Sequence, residues 1–293
     1  MDLFVQLLLN GIWSGSIYAL LGVSWGLIFA ASRTFHFAHG ATFIIGAYFT
    51  YIIDSVLGVG LIVASAGGIL AAILFGLAIE GILYRWLRRA YATPLVIFIA
   101  SLGALIFVEN NIAMFFGTDA KTLSGFPIKV IKVGNVGFTT LHLTMFFTAV
   151  ILIWGLMLFL MKTGQGKAIR AVISNPEMAE VIGIDIQRVF LLVYAISSIL
   201  VASAAILVTL ERGATPELGH WAILYAFIPV IIGGVGSMPG AALAGFIIGF
   251  AESIGIWKIP SQWQLGIAFV VLLFILIIRP SGLFGFSVYR GKI

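Results

Sequence analysis

The sequence contains no cysteine, which excludes a disulfide frame, a thiolate zinc site and a redox-active thiol. Charge is almost as scarce. Asp, Glu, Lys and Arg make up 9% of the chain, against roughly 25% in a soluble domain, so 16 basic and 11 acidic side chains must serve 293 residues. That number cannot cover a water-facing surface, and a soluble globular domain is excluded. Period-2 alternation is missing from the apolar stretches, which excludes a transmembrane β-barrel. A Gly-x-x-x-x-Gly-Lys-Ser/Thr phosphate loop is also missing, so any ATP hydrolysis falls to another polypeptide. With no His-Glu-x-x-His helix and no carboxylates at a repeated spacing, a membrane-embedded enzyme is the weakest reading, and neither a metal nor a cofactor is expected.

What is present is apolar surface and glycine: 61% of residues are apolar, 34 are Gly, and the mean hydropathy is +1.17. Apolar runs occupy Val5–Ala31, Phe37–Leu57, Leu61–Leu83, Leu95–Phe116, Leu143–Met161, Val189–Leu210, Trp221–Gly255 and Gln262–Ile278. Most are about 20 residues long, the length of a membrane-crossing helix. Trp221–Gly255 is long for one crossing and is interrupted by Pro229 and by the Gly-rich stretch 233–240, so it is expected to cross twice or re-enter. The fold class is therefore all-α, a polytopic transmembrane bundle of about 8–10 membrane segments, some broken or re-entrant. A single transmembrane domain over 1–293 is expected, since no gap holds a separate soluble domain. Asp2 leads straight into the first apolar run, which reads as a retained anchor rather than a cleavable signal.

The formal net charge of +5 does not point to nucleic acid, because the basic residues fall in the short gaps between runs, as topology signals do. Arg85, Arg88 and Arg89 follow the third run, while Lys162, Lys167, Arg170 and Arg188 surround the gap after the fifth; the positive-inside rule places both gaps in the cytoplasm. Arg279, Arg290 and Lys292 place the C-terminus there too. Counting across the runs then gives an external N-terminus and nine crossings. Lys121, Lys129 and Lys132 lie in a gap that this scheme places outside, a departure from the rule.

The gap 162–188 is the most informative segment. Asn175 suits a helix N-cap, Pro176 the first helical position, Glu177 and Glu180 the positive helix end, and Gly183 the C-terminal cap. A short helix is predicted from Pro176 to Ile182, with Met178, Val181 and Ile182 as an apolar patch outside the bilayer. Two readings stand: the patch enters a groove on another protein, or it packs against the inner ends of the bundle.

The segment also resembles the cytoplasmic coupling loop of LivH/LivM-like permeases, the branched-chain amino acid class of ABC importers. The matching residues are Gly166, Lys167, Ala168, Arg170 and Ala171, then Met178, Ala179, Gly183, Ile184 and Asp185. Three further motifs occur in the family's order: Phe37-Ala38-His39-Gly40, the stretch Gly233-Gly234-Val235-Gly236-Ser237-Met238-Pro239-Gly240-Ala241, and Arg279-Pro280-Ser281-Gly282-Leu283-Phe284-Gly285. The resemblance spans essentially the whole chain. It implies an inner-membrane permease that forms half of a translocation pathway, with Asn175, Pro176, Glu177, Met178, Ala179, Val181, Ile182 and Gly183 coupling it to ATPases. Its implied partners are two cytoplasmic ABC ATPase subunits, a second homologous permease and a periplasmic or extracytoplasmic solute-binding protein, all working at the lipid bilayer. Branched-chain or other amino acids are the implied solutes. His36 and Ala41 depart from the Asn and Glu that flank Phe-Ala-His-Gly in the family, so urea, amides and aromatic acids stay open as alternatives.

Ionisable residues inside spans are costly and mark pathways or internal pairs. Glu80, near Tyr84 and Arg85, reads as a snorkelling group or structural ion pair; Glu109, beside Asn110, and Glu252 read equally as pathway or helix-tying residues. His36 and His39 share a helix face without accompanying carboxylates, and the resemblance assigns His39-Gly40 to a structural turn. The pathway candidates are therefore His39, Gly40, Glu109, Asn110, Gly233, Gly234, Gly236, Ser237 and Glu252, the glycines because backbone groups freed at a helix break can face a polar solute. An autonomous channel or secondary transporter coupled through Glu109 and Glu252 is the rival of a different class. Gly11/Gly15, Gly22/Gly26 and Gly245/Gly249 are small-xxx-small pairs expected to seat close helix packing. An echo of His39-Gly40-Ala41 in Pro239-Gly240-Ala241 is read equally as a repeat or as chance.

Overall fold

A computed structural model describes residues 2–123 and 126–285. Its elements are helices joined by short turns, as a bilayer demands when every backbone group must be satisfied within the protein. In chain order they are α1 (Asp2–Ser32), α2 (Ala38–Tyr51) with a π-helical turn at Ile52–Val56, and α3 (Leu61–Ala78), which runs through a π turn at Ile79–Tyr84 into α4 (Arg85–Arg89). Next come α5 (Pro94–Phe116), the hairpin strands β1 (Val130–Val133) and β2 (Val136–Thr139), and α6 (Thr140–Lys162). The chain continues through α7 (Gly164–Ser174), α8 (Pro176–Val181), α9 (Ile186–Arg212), α10 (Leu218–Gly233), α11 (Met238–Gly255) and α12 (Gln264–Ile278). Prolines punctuate this order: all eight stand in loops or first turns except Pro229, which lies inside α10.

Seven helices among the described residues are long and apolar enough to cross a membrane, and the chain is a multi-pass membrane protein. α2 with its π turn and α10 bring the apolar helical segments to nine. The 35-residue run from Trp221 is two helices, α10 and α11, separated by residues 234–237, the break that its glycines predict. Arg290 and Lys292, which enter the charge argument for the C-terminus, lie outside the described residues.

The chain forms two compact units, to both of which α1, α6 and α10 contribute. The first comprises residues 1–26, 127–153 and 224–293. Here the small-xxx-small pairs find each other: a Cβ on Gly15 would lie 2.9 Å from the Cα of Phe246, and one on Gly249 would lie 2.5 Å from both the Gly11 carbonyl and the Gly15 nitrogen. Gly245 presses on the backbone of Ala19 in the same seam, while Gly22 receives the ring of Pro229. Helix backbones touch where side chains would hold them apart, and in lipid this packing carries association. Ser253 adds a hydrogen bond to the Leu7 carbonyl at 2.6 Å. At the N-terminal end, the Gln6 side-chain amide both donates to the Gly137 carbonyl and accepts from its N–H, each at 2.9 Å, as a neighbouring strand would.

The second unit comprises residues 27–126 and 154–223. α2 is its centre, packed on α3, α5 and α9, with Ala38 to Ile44 buried throughout. Glycine again sets the spacing: Gly46 meets Ala202, and Gly68 and Gly76 leave room for Thr50 and Ser198. The unit has two ends. Ser55 donates to the Thr122 carbonyl at 3.2 Å and Lys121 pairs with Ala214 at one; Arg33 donates to the Ile173 carbonyl at 3.1 Å at the other.

Gly249→Val is expected to lower stability by about 1–3 kcal/mol, because its side chain has only backbone to displace. Gly103→Ala, with nothing within 4 Å of the added methyl, is the control and is expected to leave stability unchanged or slightly raised. Thermal unfolding of the detergent-purified protein separates the two; equal melting temperatures would count against backbone contact as the seam's basis.

Candidate functional site

The segment 162–188 is built from local signals. Thr163 caps α7 by accepting the Gly166 N–H at 2.9 Å, and Gly166 is pressed so closely on the end of α6 that a Cβ would lie 2.6 Å from the Leu160 Cα. α7 buries Ile169 and Val172 and turns its charged residues outward. α8 follows at once: Asn175 Oδ1 accepts the Met178 N–H at 3.0 Å, and Pro176 occupies the first turn. Its end is a Schellman turn, with Gly183 N–H bonded to Glu180 O, Ile184 N–H bonded to Ala179 O, and Gly183 at φ +88°, where a side chain would be strained. Asp185 then caps α9 through the Arg188 N–H at 3.1 Å. The sequence carries that cap too, as an Asp three residues before Arg188.

Of α8, only Ala179 is buried. Met178, Val181 and Ile182 are 61%, 80% and 72% exposed, so nothing among the described residues covers the apolar patch, and these side chains are not packed against the ends of the described helices. Glu177 and Glu180 are exposed beside them. Three apolar side chains and two carboxylates on a rigid, capped turn are suited to a groove on a partner that is apolar inside and basic at its rim.

Each intramembrane carboxylate has a polar partner remote in sequence. Glu80, fully buried, is paired with Arg88 across the π turn and accepts the Gln187 amide at 3.1 Å; Arg88 also lies over the Phe190 ring, 4.8 Å from its centroid. The wider π turn, not the α-helical neighbour Arg85, brings this cation to the carboxylate. Glu109 meets His220 Nδ1 at 2.6 Å, with the His220 side chain 53% exposed. Gly40 packs on the Gly219 carbonyl, and a Cβ on Gly219 would lie 2.9 Å from Glu109 Oε1, so Gly40 and Glu109 converge around Gly219 and His220. Asn110 is exposed and turns its amide back to the Ile106 carbonyl, away from this group. His39 is buried beside His36, which is 2.7 Å from the Tyr84 hydroxyl.

Glu252, in the first unit, is held between two phenols: Tyr18 and Tyr225 each donate to one carboxylate oxygen at 2.7 Å, and their rings stack 4.2 Å apart. The Gly-rich break is a clasp. Gly233 and Gly240 meet backbone to backbone, Gly234 and Gly236 have φ of +95° and +89°, and Ser237 caps α11 through the Gly240 N–H at 3.1 Å. The carbonyls of Ile232 and Gly233 accept the Leu283 and Phe284 N–H groups at 2.8 and 3.0 Å, so the second and third motifs form one structure. Nothing in either motif alone announces the other. Gly22-Val23-Ser24-Trp25-Gly26 spells a Gly-x-Ser-x-Gly pattern, but it lies inside α1, where Ser24 Oγ donates to the Leu21 carbonyl, and not at a strand-to-helix turn.

A family model described as branched-chain amino acid transport system, permease component, matches residues 7–276. The chain is 29% identical over 296 residues to the high-affinity branched-chain amino acid transport system permease protein BraD of Pseudomonas aeruginosa, with 96% of each chain covered. It is 26% identical to the probable branched-chain amino acid transport permease protein LivH of Methanocaldococcus jannaschii, covering 97% of this chain and 94% of that one. Among solved structures, a chain of PsaBC from Streptococcus pneumoniae in complex with Fab shares the fold, with a TM-score of 0.51 at 13% identity, covering 96% of this chain and 93% of that one.

Arg88→Met is expected to cost about 3 kcal/mol, since it strands the buried Glu80 carboxylate, and adding Glu80→Leu is expected to recover most of that loss. Melting temperatures of the two variants against wild type read this directly. A double variant no more stable than the single one would show that the pair is not what Arg88 contributes.

Proposed function

Because the chain belongs to the family of permease components of branched-chain amino acid transport systems, we propose that it forms half of the transmembrane pathway of an ATP-driven importer of small amino acids, those with branched aliphatic side chains first among them. ATP is hydrolysed on separate subunits, a pair of cytoplasmic ABC ATPases. A second, homologous permease completes the pathway, and an extracytoplasmic solute-binding protein delivers the solute. The carrying observation is the uncovered apolar patch on α8: Met178, Val181 and Ile182 stand exposed on a helix capped at both ends. An autonomous channel or secondary carrier has no use for such a surface.

The orientation follows from charge. By the positive-inside rule we read the gaps that carry Arg85, Arg88 and Arg89 and Lys162, Lys167, Arg170 and Arg188 as cytoplasmic, and with Arg279 the C-terminus too, in an inner membrane. Residues 162–188 are then the coupling loop within a single permease domain. For the pathway, the reading rests most on Glu109 with His220, where a carboxylate and a half-exposed imidazole offer hydrogen-bonding partners to the ammonium and carboxylate of a zwitterion. In the second unit His39 and Gly40 support the helices around that route; in the first, Glu252 ties α11 to Tyr18 and Tyr225, and Gly233, Gly234, Gly236 and Ser237 close the turn of α10–α11.

Mechanistically, closure of the ATPases on ATP pushes the grooves that hold α8, and the permease halves tilt between inward- and outward-facing states. Met178→Asp places a charge in that apolar groove, and Glu177→Arg reverses the charge at its rim. Each is expected to lower ATP-dependent uptake of radiolabelled leucine about tenfold, the effect of losing an interface residue worth a little over 1 kcal/mol. Co-purified ATPase is expected to fall in parallel while permease abundance in the membrane stays at the wild-type level. Wild-type uptake by both variants would overturn coupling through α8.

A further inference from the structure

The coupling segment is gripped at three places, and they differ in what they reach. Its start is seated on the end of α6 through Gly166, and its end enters α9, where Gln187 binds the Glu80–Arg88 pair. Between them, Arg33 Nη2 donates to the carbonyl of Ile173 in the last turn of α7. That turn is the negative end of the helix dipole, and Pro176 has no N–H with which to continue the ladder, so a cation is the fitting partner.

Arg33 is an unusual residue to find at this position. Its backbone has φ +56°, a region that disfavours residues with a Cβ and where glycine would be at ease. A strained non-glycine residue persists where its side chain is used. Here the side chain does nothing for the buried core, for Arg33 is exposed; it hydrogen-bonds to the coupling segment, 140 residues away. Arg33 itself forms the elbow between α1 and α2, five residues before the helix that carries His39 and Gly40.

Building on the importer reading above, we propose that Arg33 is the positioning residue that delivers movement of the coupling helix to α2. α7 and α8 are packed together and joined only by Asn175, so a push on α8 displaces the last turn of α7; through the guanidinium that displacement reaches the α1–α2 elbow. Gln187 and Glu80 hold α9 against the π turn, whose Tyr84 is 2.7 Å from His36 just before α2; that route is buried and packed, whereas Arg33 reaches the α1–α2 elbow from the last turn of α7 itself. Arg33 therefore acts on transport without touching the solute or the ATPase.

The discriminating variant is Arg33→Gly, which keeps and relaxes the backbone while deleting only the side chain. It is tested in the complete importer, purified with its ATPases and second permease, reconstituted in proteoliposomes with the solute-binding protein, and supplied with ATP and radiolabelled leucine. Expected is intact co-purification and ATP hydrolysis, with uptake per ATP lowered about tenfold, within the range of coupling between distant sites. An unchanged uptake-to-ATP ratio per assembled complex, whether both activities fall or neither does, is what a merely structural role gives, and it overturns the proposal. A wild-type preparation that binds no ATPase or shows no ATP-dependent uptake overturns the importer reading, and this proposal with it.

A second measurement covers the case in which Arg33→Gly folds poorly. The chain has no cysteine, so Arg33→Cys with Ser174→Cys can be bridged by a reducible bis-methanethiosulfonate of about an arginine's reach without background labelling. Bridged protein is expected to transport near the wild-type ratio and to lose it on reduction. Equal ratios before and after reduction would refute the mechanical link.

Discussion

Hydrocarbon offers no hydrogen bonds, and that single constraint shapes every part of this protein. A backbone surrounded by lipid must satisfy its own N–H and C=O groups, so the chain is helical wherever it crosses. Where a helix ends or breaks inside the protein, the freed groups must find partners from elsewhere in the chain. The Ile232 and Gly233 carbonyls take theirs from Leu283 and Phe284. The same rule governs side chains. Glu80, Glu109 and Glu252 are tolerable because Arg88 with Gln187, His220, and the paired phenols of Tyr18 and Tyr225 meet them.

Lipid also removes the usual reason for helices to associate, since one apolar surface is as good as another to a hydrocarbon tail. Contact must then come from close packing, which explains both the abundance of glycine and its placement. Gly11 and Gly15 meet the strip containing Gly249, Gly46 admits Ala202, and Gly40 admits the Gly219 carbonyl. Such seams leave little freedom to slide by small amounts. Helices held in this way move as bodies, as alternation between inward- and outward-facing states requires of a permease.

Local signals in the sequence were read well because their physics is local. Asn175, Pro176 and Gly183 define α8 through bonds that span six residues or fewer, and the 35-residue run declares its own break through Pro229 and its glycines. The Gly pairs were legible as packing residues, but not which pair meets which. Pairings across long separations were illegible for the same reason: nothing at Glu252 points to Tyr18, 234 residues away, and nothing at Glu109 points to His220. The π turn at Ile79–Tyr84 was hidden as well, since its wider spacing leaves no mark in a run that is apolar on every side. Of the site, the exposed patch could be proposed from spacing, but that it stays uncovered depends on where the bundle ends, which is a property of the assembled chain.

The clasp between the α10–α11 break and residues 279–285 has a consequence for the order in which the protein is made. Synthesis runs from the N-terminus, so α10 and α11 leave the ribosome before the segment that closes their turn has been translated. During that interval the Ile232 and Gly233 carbonyls stand open, and glycines at positive φ hold the turn with no side chains to support it. The turn becomes rigid only when Leu283 and Phe284 arrive, after α12 has been inserted between the two events. The last stretch of the chain thus acts as a latch on a helical hairpin already in the membrane, and chains that stall within α12 would present an open backbone turn to the quality-control machinery.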